Sequence, residues 1–138
     1  MSPHTLAGMR LGIEDNDVVV SVSVDDARDL APSIHRQRLV VEGTCRERIG
    51  AARIVDYLNR LSEVCAMQTL MPPVTHRSDE YGWAGWIHWA TSGAHFYAWE
   101  DPLFFSVDIY TCKPFDPVAV ARFTGHYFEA DDLVARAF

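Results

Sequence analysis

The residues best suited to catalysis lie in one stretch of the chain, WATSGAHFYAWEDPLFFSVDIYTC, between Trp89 and Cys112. Ser92 and Cys112 are nucleophile types, His95 is a candidate general base, and Tyr97 follows two residues later on the same strand face. A serine attacks a carbonyl only when a proton acceptor and a group that stabilises the oxyanion lie beside it. Composition alone also allows Thr-Ser-Gly to be a simple turn and the cysteine to be a small core residue.

Length and composition limit the class of protein. The 138 residues suit one compact domain, and 49% hydrophobic residues suffice for a core. A net charge of −7 with scattered arginines argues against nucleic-acid partners and against anionic membranes. No segment suits a signal peptide or a membrane span, and three cysteines without CxxC spacing favour a reducing cytoplasm. We expect no metal site, because His88, His95, Asp108 and Cys112 lack i,i+4 or CxxC spacing.

The elements that must position these side chains begin with an N-terminal extension, residues 1–34. Within it, residues 17–25 (DVVVSVSVD) alternate β-branched side chains and predict a strand. The domain proper, residues 35–138, opens with a second strand over 38–43. Residues 47–67 then repeat apolar side chains at three- and four-residue steps, which predicts an amphipathic helix packed on a sheet.

Short strands and a second helix follow. Three probable strands, WAGWIHWAT, AHFYAW and FFSVDIYTC, are separated by turn signals, which favours antiparallel neighbours. Pro72 and Pro73 exclude a central strand position, and HRSDEYG is typical of a polar loop. Asp116 as N-cap and Pro117 in the first turn predict a helix that Gly125 ends, and the tail suits an edge strand.

This order of elements predicts an α+β fold, a two-layer sandwich in which an antiparallel sheet carries two main helices on one face. The aromatic residues of the strands are too numerous for a bare surface, so we expect a ligand or a partner protomer to cover the other face. The residues concerned are Trp83, Trp86, Trp89, Phe96, Trp99, Phe104 and Phe105.

From Gly82 to Cys112 the chain resembles the small bacterial and archaeal S-adenosylmethionine decarboxylases. Their segment has the form G-x-S-G-(apolar)-A-E-S-H-x-S-I-H-T-(aromatic)-P-E, followed by (apolar)-D-x-(aromatic)-T-C. Here GWAG, WATSGAHFYAWED and VDIYTC take these places without a gap. The flanking segments RQRLVVEG, THRSDEYG and KPFDPVAVARF extend the resemblance to about residues 35–138.

In that family the chain breaks before the serine of E-S, and the serine becomes a pyruvoyl group that serves as the electron sink for decarboxylation. The resemblance assigns this serine to Ser92, the cysteine that returns a proton to the substrate to Cys112, and a matching carboxylate to Asp108. It also implies a small-molecule partner, S-adenosylmethionine or a similar compound. A homodimer with the sheets of two protomers adjacent is implied as well.

Four positions depart from the family pattern. Thr91 replaces the glutamate before the scissile bond, Ala84 a serine that helps processing, Gly93 the histidine after the nucleophile, and Tyr97 a histidine credited with proton removal. A phenol is a poor base near neutral pH. His95 could act as the base instead, but it is displaced from position 97 by about 7 Å along the strand. Loss of a well-placed catalytic group costs about a hundredfold or more in rate. These departures predict an unprocessed chain without a cofactor; a processed chain would carry pyruvoyl in place of the serine.

Five residues are candidate ligand contacts: Trp86, His88, Trp99, Glu100 and Asp108. A tryptophan stacks on adenine or offers its π face to a sulfonium, as aromatic rings do for onium groups. A carboxylate binds a ribose hydroxyl or balances the positive charge of the ligand.

Together these features predict a lyase that acts on S-adenosylmethionine at its carbon–sulfur bonds, by cleavage or by ring closure. The catalytic candidates are Ser92, His95, Tyr97 and Cys112. Two alternatives remain open. One is a self-processed, pyruvoyl-dependent decarboxylase of S-adenosylmethionine or of a basic amino acid, in polyamine biosynthesis. The other is an inactive homologue that binds a ligand or regulates a partner.

Overall fold

The computed structural model describes strands β1 (Thr5–Leu11) and β2 (Val18–Ser23) and all of residues 28–138. The chain divides into two compact units, residues 1–33 and 34–138. In the first unit β1 and β2 form an antiparallel pair whose register shifts between Leu6 and Met9. The strand predicted over residues 17–25 is therefore present as β2, and β1 is a pairing partner that the sequence pattern did not indicate. The assignment of residues 1–34 as an extension stays a prediction.

The second unit is a six-stranded antiparallel sheet with two helices, which confirms the predicted α+β sandwich. The strand order is β4-β5-β6-β7-β3-β8, so the central β6 and β7 are flanked on both sides. In chain order the elements are β3 (Gln37–Thr44), α1 (Ala51–Val64), β4 (Val74–Ser78), β5 (Gly82–Trp89), β6 (Ser92–Glu100), β7 (Leu103–Thr111), α2 (Pro117–Tyr127) and β8 (Asp132–Ala137).

Helix α1 buries the predicted apolar stripe against the sheet, with Ile54, Leu58 and Leu61 fully inaccessible. It is shorter than the predicted 47–67, because the N-cap Gly50 has an extended backbone and the chain turns into a left-handed conformation at Ala66, with φ of 52°.

Helix α2 begins as predicted, because the Asp116 carboxylate accepts hydrogen bonds from the backbone N–H groups of Val118 and Ala119. The predicted end at Gly125 is wrong, since the helix continues to Tyr127. Gly125 lies where the Leu133 side chain approaches: a Cβ there would be 3.0 Å from Leu133 Cδ2. The glycine therefore serves helix–strand packing, not termination.

Alternation along the strands divides the aromatic residues between the two sheet faces. Trp89, Phe96 and Phe105 are buried beneath the helices, so the expectation that they lie on the other face is wrong. Trp83 also packs against the helix-covered core. Residues of opposite parity on β6, such as Trp99, occupy the other face, which we call the outer face.

The polar loop predicted from HRSDEYG is partly wrong, since Val74–Ser78 forms the edge strand β4 beside β5. Its position at the edge agrees with the two prolines that precede it. At the opposite edge, the predicted terminal strand is present as β8, which pairs with β3. Sheet register then fixes which outer-face side chains become neighbours.

Candidate active site

A two-residue turn between β5 and β6 places Ser92 at the first position of β6. The turn is strained, because the β-branched Thr91 adopts a left-handed φ of 59°. Its hydroxyl donates a hydrogen bond of 2.6 Å to the Ala90 carbonyl oxygen. The Ser92 side chain is nearly buried, at 9% exposure.

Ser92 and Cys112 meet although they are 20 residues apart in the sequence. The backbone N–H of Cys112 donates a hydrogen bond of 2.9 Å to Ser92 Oγ. The side chains of Cys112 and Tyr110 form a weaker hydrogen bond, with 3.9 Å between Sγ and the phenol oxygen. This contact is the main cause that raises the pKa of Tyr110 above its ordinary value. The pairing of β6 with β7 therefore joins the two predicted nucleophile types at one end of the sheet.

Beside this pair, a cavity of about 370 Å³ opens on the outer face, and we call it the first cavity. It brings together four of the predicted site residues, Ser92, His88, His95 and Asp108. His95 lies directly opposite Asp108 on β7 and opposite Trp86 on β5. The full lining is Arg38, His88, Thr91, Ser92, Gly93, His95, Asp108 and Tyr110.

Arg38 is the main site residue that the sequence did not indicate. Its guanidinium donates two hydrogen bonds to Asp108, Nε to Oδ1 at 2.9 Å and Nη2 to Oδ2 at 2.5 Å. This bidentate bond raises the pKa of Arg38. The signal in the sequence was only an arginine near the start of a predicted strand. The pairing of β3 with β7, 70 residues apart, gave it a role.

Tyr97 and Trp99 lie in a different place from Ser92. They line a second cavity of about 370 Å³, whose walls are Ser78, Tyr81, Gly82, Trp83, Ala84, Tyr97, Ala98 and Trp99. Tyr97 is directly opposite Ala84 in the pairing of β6 with β5. Two positions that depart from the family pattern are thus direct neighbours.

Glu100, a predicted ligand contact, interacts with two arginines. Its carboxylate accepts a hydrogen bond of 2.7 Å from Arg77 and forms an ion pair of 3.5 Å with Arg48. The hydrogen bond from Arg77 is the largest cause that lowers the pKa of Glu100. Trp86 lies nearer to the first cavity, since its ring packs edge-on against His88 at 4.6 Å between centroids.

Comparison with known proteins identifies the fold and the family. A sequence profile described as S-adenosylmethionine decarboxylase matches residues 44–138. The chain belongs to this family. The crystal structure of the adenosylmethionine decarboxylase from Aquifex aeolicus VF5 superposes with a TM-score of 0.64 over 76% of this chain and 89% of that one, at 12% identity. This second likeness establishes the common fold, and no curated protein matches the chain significantly.

The S-adenosylmethionine decarboxylase family depends on a pyruvoyl group when its chains are processed. The site keeps the serine and cysteine positions in hydrogen-bond contact. It does not keep the serine and the histidine that the family pattern has at positions 84 and 97, where this chain has Ala84 and Tyr97, opposite each other in an aromatic cavity. The residues present therefore do not fit self-processing by the family's route, and we derive no step through a pyruvoyl group.

Two further properties concern ions and membranes. Among the residues that the structure describes, no three His, Cys, Asp or Glu side chains lie close enough to hold a metal ion. None of the helices in this part of the chain is long and apolar enough to cross a membrane.

Proposed function

We propose that this protein binds S-adenosylmethionine, or a close amine, and breaks a carbon–sulfur bond of it without a pyruvoyl group. The observation that carries the proposal is the direct pairing of Ala84 with Tyr97. Both members of the family's serine–histidine processing pair are replaced, by a residue without a polar side chain and by a phenol. An intact chain has no electron sink for decarboxylation.

The chemistry of a sulfonium makes a reaction without this sink feasible. When a carbon–sulfur bond breaks, its electron pair goes to the positive sulfur, and neutral methylthioadenosine leaves. In ring closure, a carboxylate oxygen of the substrate forms the new bond to the γ-carbon as the carbon–sulfur bond breaks. In elimination, a base removes a proton from the β-carbon and the electron pair forms a double bond. Positioning and electrostatics supply the catalysis in both cases.

The side chains of the first cavity suit these tasks. His95 or His88 is the candidate base for elimination, and the hydroxyl of Ser92 is a polar contact rather than a cofactor precursor. Cys112 lies beside Ser92, to which its backbone N–H donates a hydrogen bond. Trp86 and Trp99 are the candidate aromatic contacts for the adenine or the sulfonium.

The first test is the mass of the denatured protein, followed by product analysis. We expect a single species of 15.6 kDa, which is the mass of the intact chain. Incubation with S-adenosylmethionine should then release methylthioadenosine, detected by liquid chromatography, without release of carbon dioxide. An intact chain that forms no methylthioadenosine would refute the proposed reaction.

A second candidate function, the self-processed decarboxylase, is favoured by one specific observation. The residue before Ser92 is strained, with φ of 59°, and the serine oxygen already accepts a hydrogen bond of 2.9 Å from Cys112 N. Strain at the residue before the scissile bond favours attack on its carbonyl carbon, because cleavage releases the strain, and the hydrogen bond from Cys112 N holds the hydroxyl in place. Two fragments divided between Thr91 and Ser92 in the mass spectrum would establish this function in place of the first. Ser92→Ala would then stay intact.

We also propose a homodimer in which the outer faces of two protomers are adjacent. Tyr97 and Tyr110 are each 44% exposed on this face although they line cavities. Two large aromatic side chains on one exposed sheet face favour a covering partner. Light scattering should give twice the chain mass, and a monomer at micromolar concentration would refute this arrangement.

A further inference from the structure

The first cavity is lined by one arginine, two histidines and one carboxylate. Asp108 is the only acidic residue of its lining, and both of its oxygens accept hydrogen bonds from Arg38. Within residues 28–138, the imidazoles of His88 and His95 take part in no hydrogen bond or ion pair, and His88 only packs against Trp86. Both imidazoles therefore have N–H groups that can donate hydrogen bonds to a bound acceptor.

The two imidazoles flank an opening at Gly93. His88 lies directly opposite Gly93, and His95 is two residues further along β6, so the two histidines are diagonal neighbours on one face. Diagonal neighbours are separated by about 7–8 Å, which leaves room for a small group between the rings. A Cβ at position 93 would lie 2.8 Å from the Ile87 carbonyl oxygen, so no larger residue fits there without a backbone shift.

The family pattern does not account for this pair. That pattern has histidine directly after the nucleophile and serine two residues later, whereas this chain has Gly93 and then His95. The imidazole is thus moved along β6 and away from Ser92. This leaves an open part of the cavity beside the serine, with one imidazole on each of two neighbouring strands.

We propose that His88 and His95 bind the α-carboxylate of the substrate, so that the first cavity selects an amino acid over the corresponding amine. A carboxylate accepts several hydrogen bonds and suits two N–H donors that approach from opposite sides. The neighbouring Asp108 does not compete for these donors, because Arg38 holds both of its oxygens. This inference rests on the proposed function, since it takes S-adenosylmethionine as the substrate. It assigns both histidines to binding and therefore selects ring closure, the route of that function that needs no base.

The test compares two probes that differ only in the carboxylate, S-adenosylmethionine and decarboxylated S-adenosylmethionine. Their dissociation constants are measured on the full chain within the first minute of mixing, with a chromatographic check that the probe is intact. We expect the wild-type protein to bind S-adenosylmethionine about tenfold or more tightly than the amine, because hydrogen bonds to charged groups have this strength. The net negative charge of the protein works against this preference, since the amine is the more positive probe.

The variants His88→Leu and His95→Leu should each reduce the preference, and the double variant should abolish it while affinity for the amine is unchanged. His95→Gln, which keeps an N–H donor on a more flexible side chain, should lose only part of the preference. The control His126→Leu, altered on helix α2, should keep the full preference. Equal wild-type affinities, or a preference that survives in the double variant, would overturn the inference and leave the proposed function intact. Failure to bind either probe would overturn both.

Discussion

The hydrogen bond between Trp89 and Ser62 anchors the strand that leads into the Ser92 turn. Trp89 Nε1 donates a bond of 2.7 Å to Ser62 Oγ, which in turn donates 2.8 Å to the Leu58 carbonyl oxygen. Both side chains are buried, at 1% and 3% exposure. Ser62→Ala therefore leaves an indole N–H in the core without an acceptor.

The expected magnitude follows from two opposing contributions. An unsatisfied buried donor costs about 1–3 kcal/mol of the free energy of unfolding. Replacing serine by alanine within a helix returns about 0.5 kcal/mol through helix propensity. The net loss is then about 0.5–2.5 kcal/mol. A chain of this length loses about 3–5 °C of melting temperature per kcal/mol, so the expected decrease is about 2–12 °C.

The assay is urea unfolding followed by circular dichroism, with Asn59→Ala on the exposed side of the same helix as the control. Trp89→Phe removes the donor itself and leaves a small cavity, so the double variant with Ser62→Ala should lose less than the sum of the two single losses. A Ser62→Ala protein as stable as the wild type, or strictly additive losses, would refute the role of this bond.

Three further predictions concern thiols, packing and acid. An alkylating reagent should label Cys112 in the folded protein first, because Cys65 is buried with its pKa raised to about 12 by desolvation; Cys112→Ser should remove the fast phase, and equal rates at both thiols would contradict this. Gly85→Ala should destabilise the protein by about 1–3 kcal/mol, because the new Cβ would lie 2.5 Å from Ile54 Cγ2; unchanged thermal melting would count against this packing. The pKa of Glu100 is lower in the folded protein than the unfolded value of 4.5, so its ion pairs stabilise the folded state fully only at pH values above 4.5. The difference in melting temperature between wild type and Glu100→Gln should therefore shrink as the pH falls from about 5 to about 3. A constant difference would contradict the ion pairs.

The sequence by itself determined the fold class, the main helix and the family. Each of these depends on local information. Helical periodicity predicted the buried stripe of α1, the Asp116–Pro117 pair marked the start of α2, and the gapless motif assigned the chain to its family. The helix end predicted at Gly125 was wrong, because the sequence does not distinguish a glycine that makes room for a neighbouring strand from one that ends a helix.

Only the tertiary structure decided which of the candidate residues share a site. The sequence put His95 and Tyr97 on one face of a predicted strand and Ser92 just before it, but register with β5 and β7 places Tyr97 at the second cavity. Arg38 joined the site through a strand 70 residues distant. Pairing between strands that are remote in sequence depends on how the whole sheet buries its helix-covered face. A local sequence pattern therefore does not predict which strands pair.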